Sequence, residues 1–572
     1  MTRLYRLLTN PPVARTLLIA PIAVFFVYFF ALRYNIPWFD EFENIPYFLN
    51  RFLTAPSFPE WMAALLRPNN EHRVVYARLV VLGQYFLTGG LNFGGLMLWG
   101  NLGLVLMTVL LYRALLRHEG DARRALVGSL VVPLLLFTAQ SYLMTFTAIF
   151  TLQYLSIIML VMLTFFVLAT DRPWAFGPAL GLGVLSTFSM GNGLLLWPAG
   201  LALLAVQRRW RALGVWVLVG AVSSYLYFVG YPVQQGNAEG FSYVLNHPFR
   251  TLAGFVIFAG SAFDLFPALL LEQRMILPFG AGLLVLTGLG YWLVQTLLRS
   301  AKGLTFFEAF AFGCVLFLLA NIALIAFFRL RISFGLALHG SYRIYALTLW
   351  ALASVLLFSR LSEPGRARFW PVVWLLFLGV NGLSYYTYLP EAVERRKHMQ
   401  GMVFNQLHNG VGLGGSRVTP NLTRYIDRQL ALMRQRGWYQ LPDPAITPAE
   451  RSLPSPVLTT VPTVPLRVEQ RPDYIIVDSD EPDYRVGLNR GTYLVMKSDR
   501  YTYVMLAARN RPLGRKPWDV KPGFSAPMPA YMIEPGRYRL GLFRTYPDRS
   551  DVQFTDRFID VSDRAVIQYD KP

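Results

Sequence analysis

The sequence is poor in cysteine and poor in charge. One cysteine, Cys314, stands among 572 residues, so neither a disulfide framework nor a cysteine metal site can form within the chain. Charged residues make up 15%, against about 25% in an ordinary soluble protein. Hydrophobic residues make up 54% and the mean hydropathy is +0.39. A wholly soluble chain is excluded; the composition is that of an integral membrane protein with one soluble appendage. Acids are the scarcer sign, 33 against 53 Lys and Arg, for a formal net charge of +20. In a soluble protein that balance would point to nucleic acid. Here much of the excess lies in short loops between apolar runs, which fits topology signals and contact with anionic membrane lipids, and no nucleic-acid partner is expected. The sequence also lacks a glycine-rich nucleotide loop, HExxH, GxSxG, internal repeats and low-complexity tracts.

Apolar runs dominate what is there. Arg3, Arg6 and Arg15 precede a run from Thr16 to Leu32. It is longer than a signal-peptide core and no small-x-small site follows, so it reads as a retained first transmembrane helix. Further runs fall at about 93–116, 125–140, 149–169, 175–190, 193–206, 212–229, 276–298, 304–328, 344–359 and 369–388, giving about eleven spans. With the N-terminus cytoplasmic, the inner loops are short and basic: Arg117 to Arg124, Arg172, Gln207 to Arg211, Arg299 to Lys302, and Arg360 to Arg368. The other side then receives the first loop (34–92), the 231–250 and 329–343 loops, and everything after about 389. Residues 251–271 are apolar but interrupted by Asp264. They read as a re-entrant or surface-lying helix, because counting them as a span would move Arg299 and Lys302 outside.

Within the first loop, Ile45, Phe48, Leu49, Phe52 and Leu53 recur at helical spacing, and Pro59 can open a second helix carrying Trp61, Ala64 and Leu65. These predict amphipathic helices in the interface. The stretch 74–90 predicts a third apolar helix. Past the last span, Thr419-Pro420 predicts a helix start, with Leu422, Ile426, Leu430 and Met433 on one face up to Gly437. The resulting division is a membrane domain over 1–390, a helical and linker region over 391–465, and a soluble domain over 466–572. In the last, short runs predict strands: Tyr474 to Val477, Thr492 to Met496, Tyr501 to Ala507, Tyr531 to Ile533, Arg537 to Phe543 and Phe554 to Val561. Glu534-Pro535-Gly536 predicts a turn, and a small β-sandwich or jelly roll is expected. Trp438, Tyr439, Tyr484 and Trp518 can stack on sugar rings or pack in cores.

Three polar stretches can carry chemistry. Asp40, Glu41 and Glu43 put three carboxylates within four positions just past the first span. They read as a general base or a carboxylate pair for a divalent cation (Mg2+, Mn2+ or Ca2+), or as a solvated helix end. Glu71, His72 and Arg73 follow Asn69-Asn70; they can bind phosphate, shuttle a proton or brace the loop. Arg329, Arg331, His339, Tyr342 and Arg343, with Ser341, gather on the predicted outer side, against the positive-inside bias. The planar guanidinium fork matches phosphate oxygens, which reads as a phosphate site; snorkelling is the alternative. The tight turn Ser189 to Trp197 joins two apolar runs, or lines a groove.

In these features the chain resembles the GT-C superfamily of membrane glycosyltransferases. An Asp40-Glu41 pair follows the first span in a large outer loop, a late outer loop carries Arg329, Arg331 and Arg343, and a β-rich outer domain follows the last span, as in arabinofuranosyltransferase-like members. The resemblance covers roughly residues 14–390. It implies a polyprenyl-phosphate-linked sugar donor, a glycan, lipid or protein acceptor, an inverting displacement with Asp40 as general base, and Arg331 and Arg343 on the leaving phosphate. Glu41 would orient Asp40 or help hold a metal. Glu43, Glu71, His72 and Arg73 would stand near the acceptor, although the Asn-Glu-His-Arg stretch is no mark of the class. The implied location is a bacterial inner membrane, with the C-terminal domain extracytoplasmic. A lipid-linked oligosaccharide polymerase or ligase, a transporter or flippase of lipid-linked glycan, and a non-catalytic sugar sensor are the competing readings.

Overall fold

The computed structural model describes residues 2–69, 72–231, 237–442, 465–471, 473–481, 490–510, 521–546 and 550–563. The chain folds as two compact units. One comprises Met1–Ala31, Phe48–Gly83 and Leu96–Tyr388; the other comprises Leu32–Tyr47, Gln84–Gly95 and Leu389–Pro572.

Among the described residues, nine helical segments are long and apolar enough to cross a membrane: α1 (Pro11–Leu32), α2 (Phe93–Glu119), α3 (Ala122–Thr145), α4 (Ala148–Leu168), α5 (Trp210–Phe228), α6 (Leu271–Arg299), α7 (Phe306–Arg329), α8 (Arg343–Arg360) and α9 (Glu363–Asn409). Their number and composition are those of a polytopic helical membrane protein. The count differs from eleven for a reason of length. Residues 175–190 and 193–206 fall in helices Pro173–Ser189 and Gly191–Val206, of at most 17 residues; at 1.5 Å per residue such a helix covers about 26 Å, short of a ~30 Å hydrocarbon core. The interrupted segment is likewise no long helix: Pro248–Ala259 ends at Gly260, and a 3-10 turn, Ser261–Phe263, leads to Asp264. It packs tightly on α6. A Cβ on Gly260 would stand 1.8 Å from the Pro278 carbonyl oxygen, and one on Gly282 1.8 Å from that of Val256, so neither position admits a side chain.

The basic loops of this unit are tied to one another. Arg366 forms a two-pronged pair with Glu119 at 2.7 and 2.8 Å, Arg124 pairs with Glu363 at 3.0 Å, and Arg360 with Glu308 at 3.1 Å. Glu308 also closes a capping box with Thr305 that starts α7. The first-loop helices form as expected, over Phe48–Thr54 and Phe58–Leu66. Trp61 stacks on Phe52 and its indole N–H donates to the Ala55 carbonyl. The third is Val75–Thr88.

In the second unit, eight described strands form two antiparallel sheets: β1 (Arg467–Gln470), β2 (Tyr474–Ser479), β6 (Phe524–Pro529) and β5 (Ala508–Arg509) in one, and β4 (Thr502–Leu506), β3 (Gly491–Lys497), β7 (Gly536–Thr545) and β8 (Ser550–Val561) in the other, in those spatial orders. The expected strand Tyr531 to Ile533 is instead a 3-10 turn, Ala530–Met532, and β6 lies just before it. Pro527 and Pro529 pair with Ile476 and Tyr474 on one side of β6, while β5 reaches only Ser525 and Phe524 on the other. The prolines therefore occupy a stretch without a second neighbour, where a missing N–H costs little. The last turns of α9 cover the second sheet. Phe404 joins Tyr493, Val495, Val504, Leu506 and Phe543 in a common core, and Asn405 lies against the open edge of β4, accepting from the Val504 N–H and donating to its carbonyl. Pro420–Gln435 is a helix that buries Leu422, Tyr425, Ile426, Gln429 and Met433, with Leu430 only half-buried. Tyr484 and Trp518 lie outside the described residues.

Candidate site at the loop end of the first unit

A cavity of about 170 Å³ opens in the first unit, walled by His72, Tyr154, Asn192, Tyr231, Arg329 and Tyr342, with Met190, Gly191, Leu324, Ile325 and Phe328 between them. Five of the six polar residues have a local reason to be there. Arg329 ends α7, where a cation meets the negative end of the helix dipole. Its carbonyl accepts from the Ile332 and Ser333 N–H groups, which turns the chain. Tyr342 stands just before α8. His72 is held by a small antiparallel bridge with Asn69, at 2.7 and 2.9 Å. Asn192 sits in the 3-10 turn Gly191–Leu195, where a Cβ on Gly193 would come within 2.1 Å of the Ser186 carbonyl oxygen; its amide donates to the Tyr345 hydroxyl at 3.3 Å. Tyr154 lies in a π-helical turn at the start of α4, with its ring 5.5 Å from that of Tyr342. Arg329 carries a permanent charge, and no carboxylate is among the described lining residues. A guanidinium beside three phenols has the donors that an anion takes.

The neighbouring basic residues have other partners. Arg343 is 2% exposed and pairs with Asp264, while also donating to the carbonyls of Gln140 (3.1 Å) and Leu338 (2.8 Å). Asp264 in turn accepts from Arg274 at 2.6 and 2.5 Å and from the Tyr388 hydroxyl at 3.2 Å, which also donates to the Asp264 carbonyl at 2.6 Å. One buried carboxylate thus joins two guanidiniums, and Arg343 is set as a brace rather than as a lining residue. Nothing in the spacing of Asp264 and Arg343, 79 positions apart, signals that pairing. His339 donates no side-chain bond toward the cavity among those described; its Nδ1 accepts from the Ser341 N–H at 3.4 Å. Burial, and then the Arg343 charge, hold its imidazole below the usual range. Arg331 is half-buried and does not line the cavity.

Arg73 is a backbone clamp. It donates to the carbonyls of Tyr227 (2.8 Å), Val229 (2.5 Å) and Leu66, with the Phe188 and Tyr227 rings on its faces. Arg78, which carried no sequence signal, does the same for Ala64, Leu65 and Arg67 under the Phe48 ring. Glu71 lies outside the described residues.

Asp40, Glu41 and Glu43 belong to the second unit. Phe39 takes a left-handed φ of 49° and its N–H donates to the Leu413 carbonyl. Gly414 passes so close that a Cβ there would lie 3.0 Å from the Phe39 Cα. Glu41 is 1% exposed and accepts from the Trp38 N–H at 2.8 Å, closing the turn. Arg395 covers the Trp38 ring at 4.5 Å and bonds the Tyr34 phenol, whose ionisation burial pushes up. Asp40 and Glu43 stay half-buried; the Asp40 carbonyl accepts from the Asn44 N–H and side-chain amide. No three His, Cys, Asp or Glu side chains gather as a metal-holding group among the described residues.

Comparison of the chain with protein-family models, with curated proteins and with solved structures finds no match.

Proposed function

We propose that the protein is a membrane glycosyltransferase of the GT-C kind. It moves a sugar from a polyprenyl-phosphate donor to a hydroxyl of a glycan, lipid or protein acceptor at the extracytoplasmic face of a bacterial inner membrane. The observation that carries this reading is the cavity lined by Arg329, His72 and three tyrosines. At about 170 Å³ it is smaller than the ~300 Å³ at which drug-sized pockets begin. It suits a phosphate group, with the sugar and the polyprenyl chain extending beyond it. The acceptor oxygen attacks the anomeric carbon as the bond from that carbon to the phosphate oxygen breaks. The bonding pair leaves with polyprenyl phosphate, and a general base takes the acceptor proton, the role that the resemblance to the class gives to Asp40. Arg329 and the Tyr342 hydroxyl donate to the phosphate oxygens as their charge grows. Arg343, through Asp264, is a positioning residue for the loop that carries Tyr342. The role of Asp40, with Glu41 holding its turn, rests on the resemblance to the class, and no step passes through a metal.

Binding of a C55 polyprenyl phosphate to the purified full chain tests the reading. Arg329→Ala is expected to weaken it by about tenfold to a hundredfold, the size of a charged hydrogen bond. Undiminished binding would remove the phosphate site. A second reading, a lipid-linked oligosaccharide polymerase or ligase, draws support from the engagement of Glu41 within its own turn. It needs the cavity but not the acids, so product formation that survives Asp40→Asn and is lost in Arg329→Ala would favour it.

A further inference from the structure

A second cavity in the first unit has no part in that reaction. It is larger, about 520 Å³, and lies between α6, α8 and α9. Leu284, Leu289, Trp350, Leu357, Val373 and Phe377 supply apolar walls, and Arg299 and Arg360 stand at one end. That end is the C-terminus of α8, 18 residues long, so it is about 26 Å from the end that carries Tyr342 and Arg343.

We propose that this groove holds an anionic diacyl glycerolipid of the surrounding membrane. One acyl chain lies along α6 and α8 past Trp292, and the phosphodiester meets Arg299 and Arg360. Three observations carry it. Trp292, Gln295 and Arg299 follow at i, i+3 and i+7 on one face of α6, and a helical side chain leans toward the N-terminus, so Arg299 reaches back over the groove. The charge at the mouth suits a phosphodiester: Arg360 is balanced by Glu308 at 3.1 Å, whereas no carboxylate faces Arg299 among the described residues, leaving one net positive charge for one negative. Finally, a Cβ on Gly288, in the groove wall, would meet nothing within 4 Å; the space is there for a guest. Arg299 and Arg360 also flank short basic loops, which face the anionic leaflet when the positive-inside rule holds.

Native mass spectrometry of the full chain, offered phosphatidylglycerol and phosphatidylcholine of matched chains in equal amounts, tests this. Phosphatidylglycerol is expected to be retained over phosphatidylcholine by about fivefold, one basic residue's attraction for an anionic headgroup. Arg299→Gln, at an exposed helix end, should abolish the preference while leaving occupancy. Gly288→Leu, which fills the groove, should cut retention of both lipids, whereas Gly181→Leu, also in open space but away from the groove, should not. Equal retention of the two lipids by the native chain, or indifference to Arg299→Gln, overturns the headgroup assignment. Displacement of phosphatidylglycerol by equimolar C55 polyprenyl phosphate would give the groove to the isoprenoid and overturn the proposal. Neither result touches Arg329, whose binding test stands apart.

Discussion

Asp264 takes donors from two guanidiniums and a phenol. With Arg343 at 2% and Asp264 at 1% exposure, the carboxylate is what makes burial of the arginine tolerable. Asp264→Asn removes the counter-charge and leaves Arg343 unpaired. It is expected to cost about 3–5 kcal/mol, the usual penalty for breaking a buried pair from one side, read as a lower thermal unfolding midpoint in detergent. Asp264→Glu should recover part of it. His339 belongs to the same neighbourhood. Its pKa is lowered by burial and then by Arg343, so the folded state binds fewer protons than the unfolded chain below the usual value of 6.5. Stability is therefore expected to fall as pH drops below 6.5, and to stop falling once pH passes the lowered folded value. Unfolding midpoints between pH 7.5 and 5 measure the slope, and His339→Asn should make it shallower. None of this pairing was legible from residue types. Asp264 reads as an interruption in an apolar segment and Arg343 as one of several outer arginines, because an ion pair formed across 79 positions leaves no local pattern.

Elements were legible where one rule decided them. The apolar runs became helices, and Thr419-Pro420 opened its helix. Strands hid where two rules competed. Prolines 527 and 529 argue against a strand, yet β6 forms because β5 leaves that stretch without a neighbour. An open edge is a hazard for any sheet, and the edge of β4 is met by two side chains of α9: Asn405 imitates a neighbouring strand with one donor and one acceptor, and Asn409 donates to the Thr502 carbonyl at 2.8 Å. Asn405→Ala leaves the Val504 N–H and carbonyl buried without partners. It is expected to cost about 2–3 kcal/mol, and hydrogen exchange should show lost protection in β4 with α8 unchanged. An equal loss in both would mean that Asn405 supports the whole chain rather than the sheet edge.

Across the whole molecule, the alternation of basic and less basic loops predicts two sets. Glu119, Glu308 and Glu363 link members of one set through ion pairs, while residues of the 34–92, 189–197, 231–250 and 329–343 stretches line one cavity. Cys314 is buried, so the native chain is a quiet background for labelling. Ser333→Cys is expected to react with an impermeant maleimide in intact cells, and Ser362→Cys only after permeabilisation; the reverse result would invert the assigned orientation. Composition and periodicity by themselves determined the membrane class, the positions of most helices and the strand-rich C-terminal part. Each of these follows from local hydrophobicity and backbone preference, summed over a short window. Only the tertiary structure decided which polar groups meet. It set Arg329 and His72 around a cavity, turned Arg343 inward to Asp264 and used Glu41 to close its own turn. The cause is that a buried charge is stable only beside partners, and those partners are chosen by how distant helices pack.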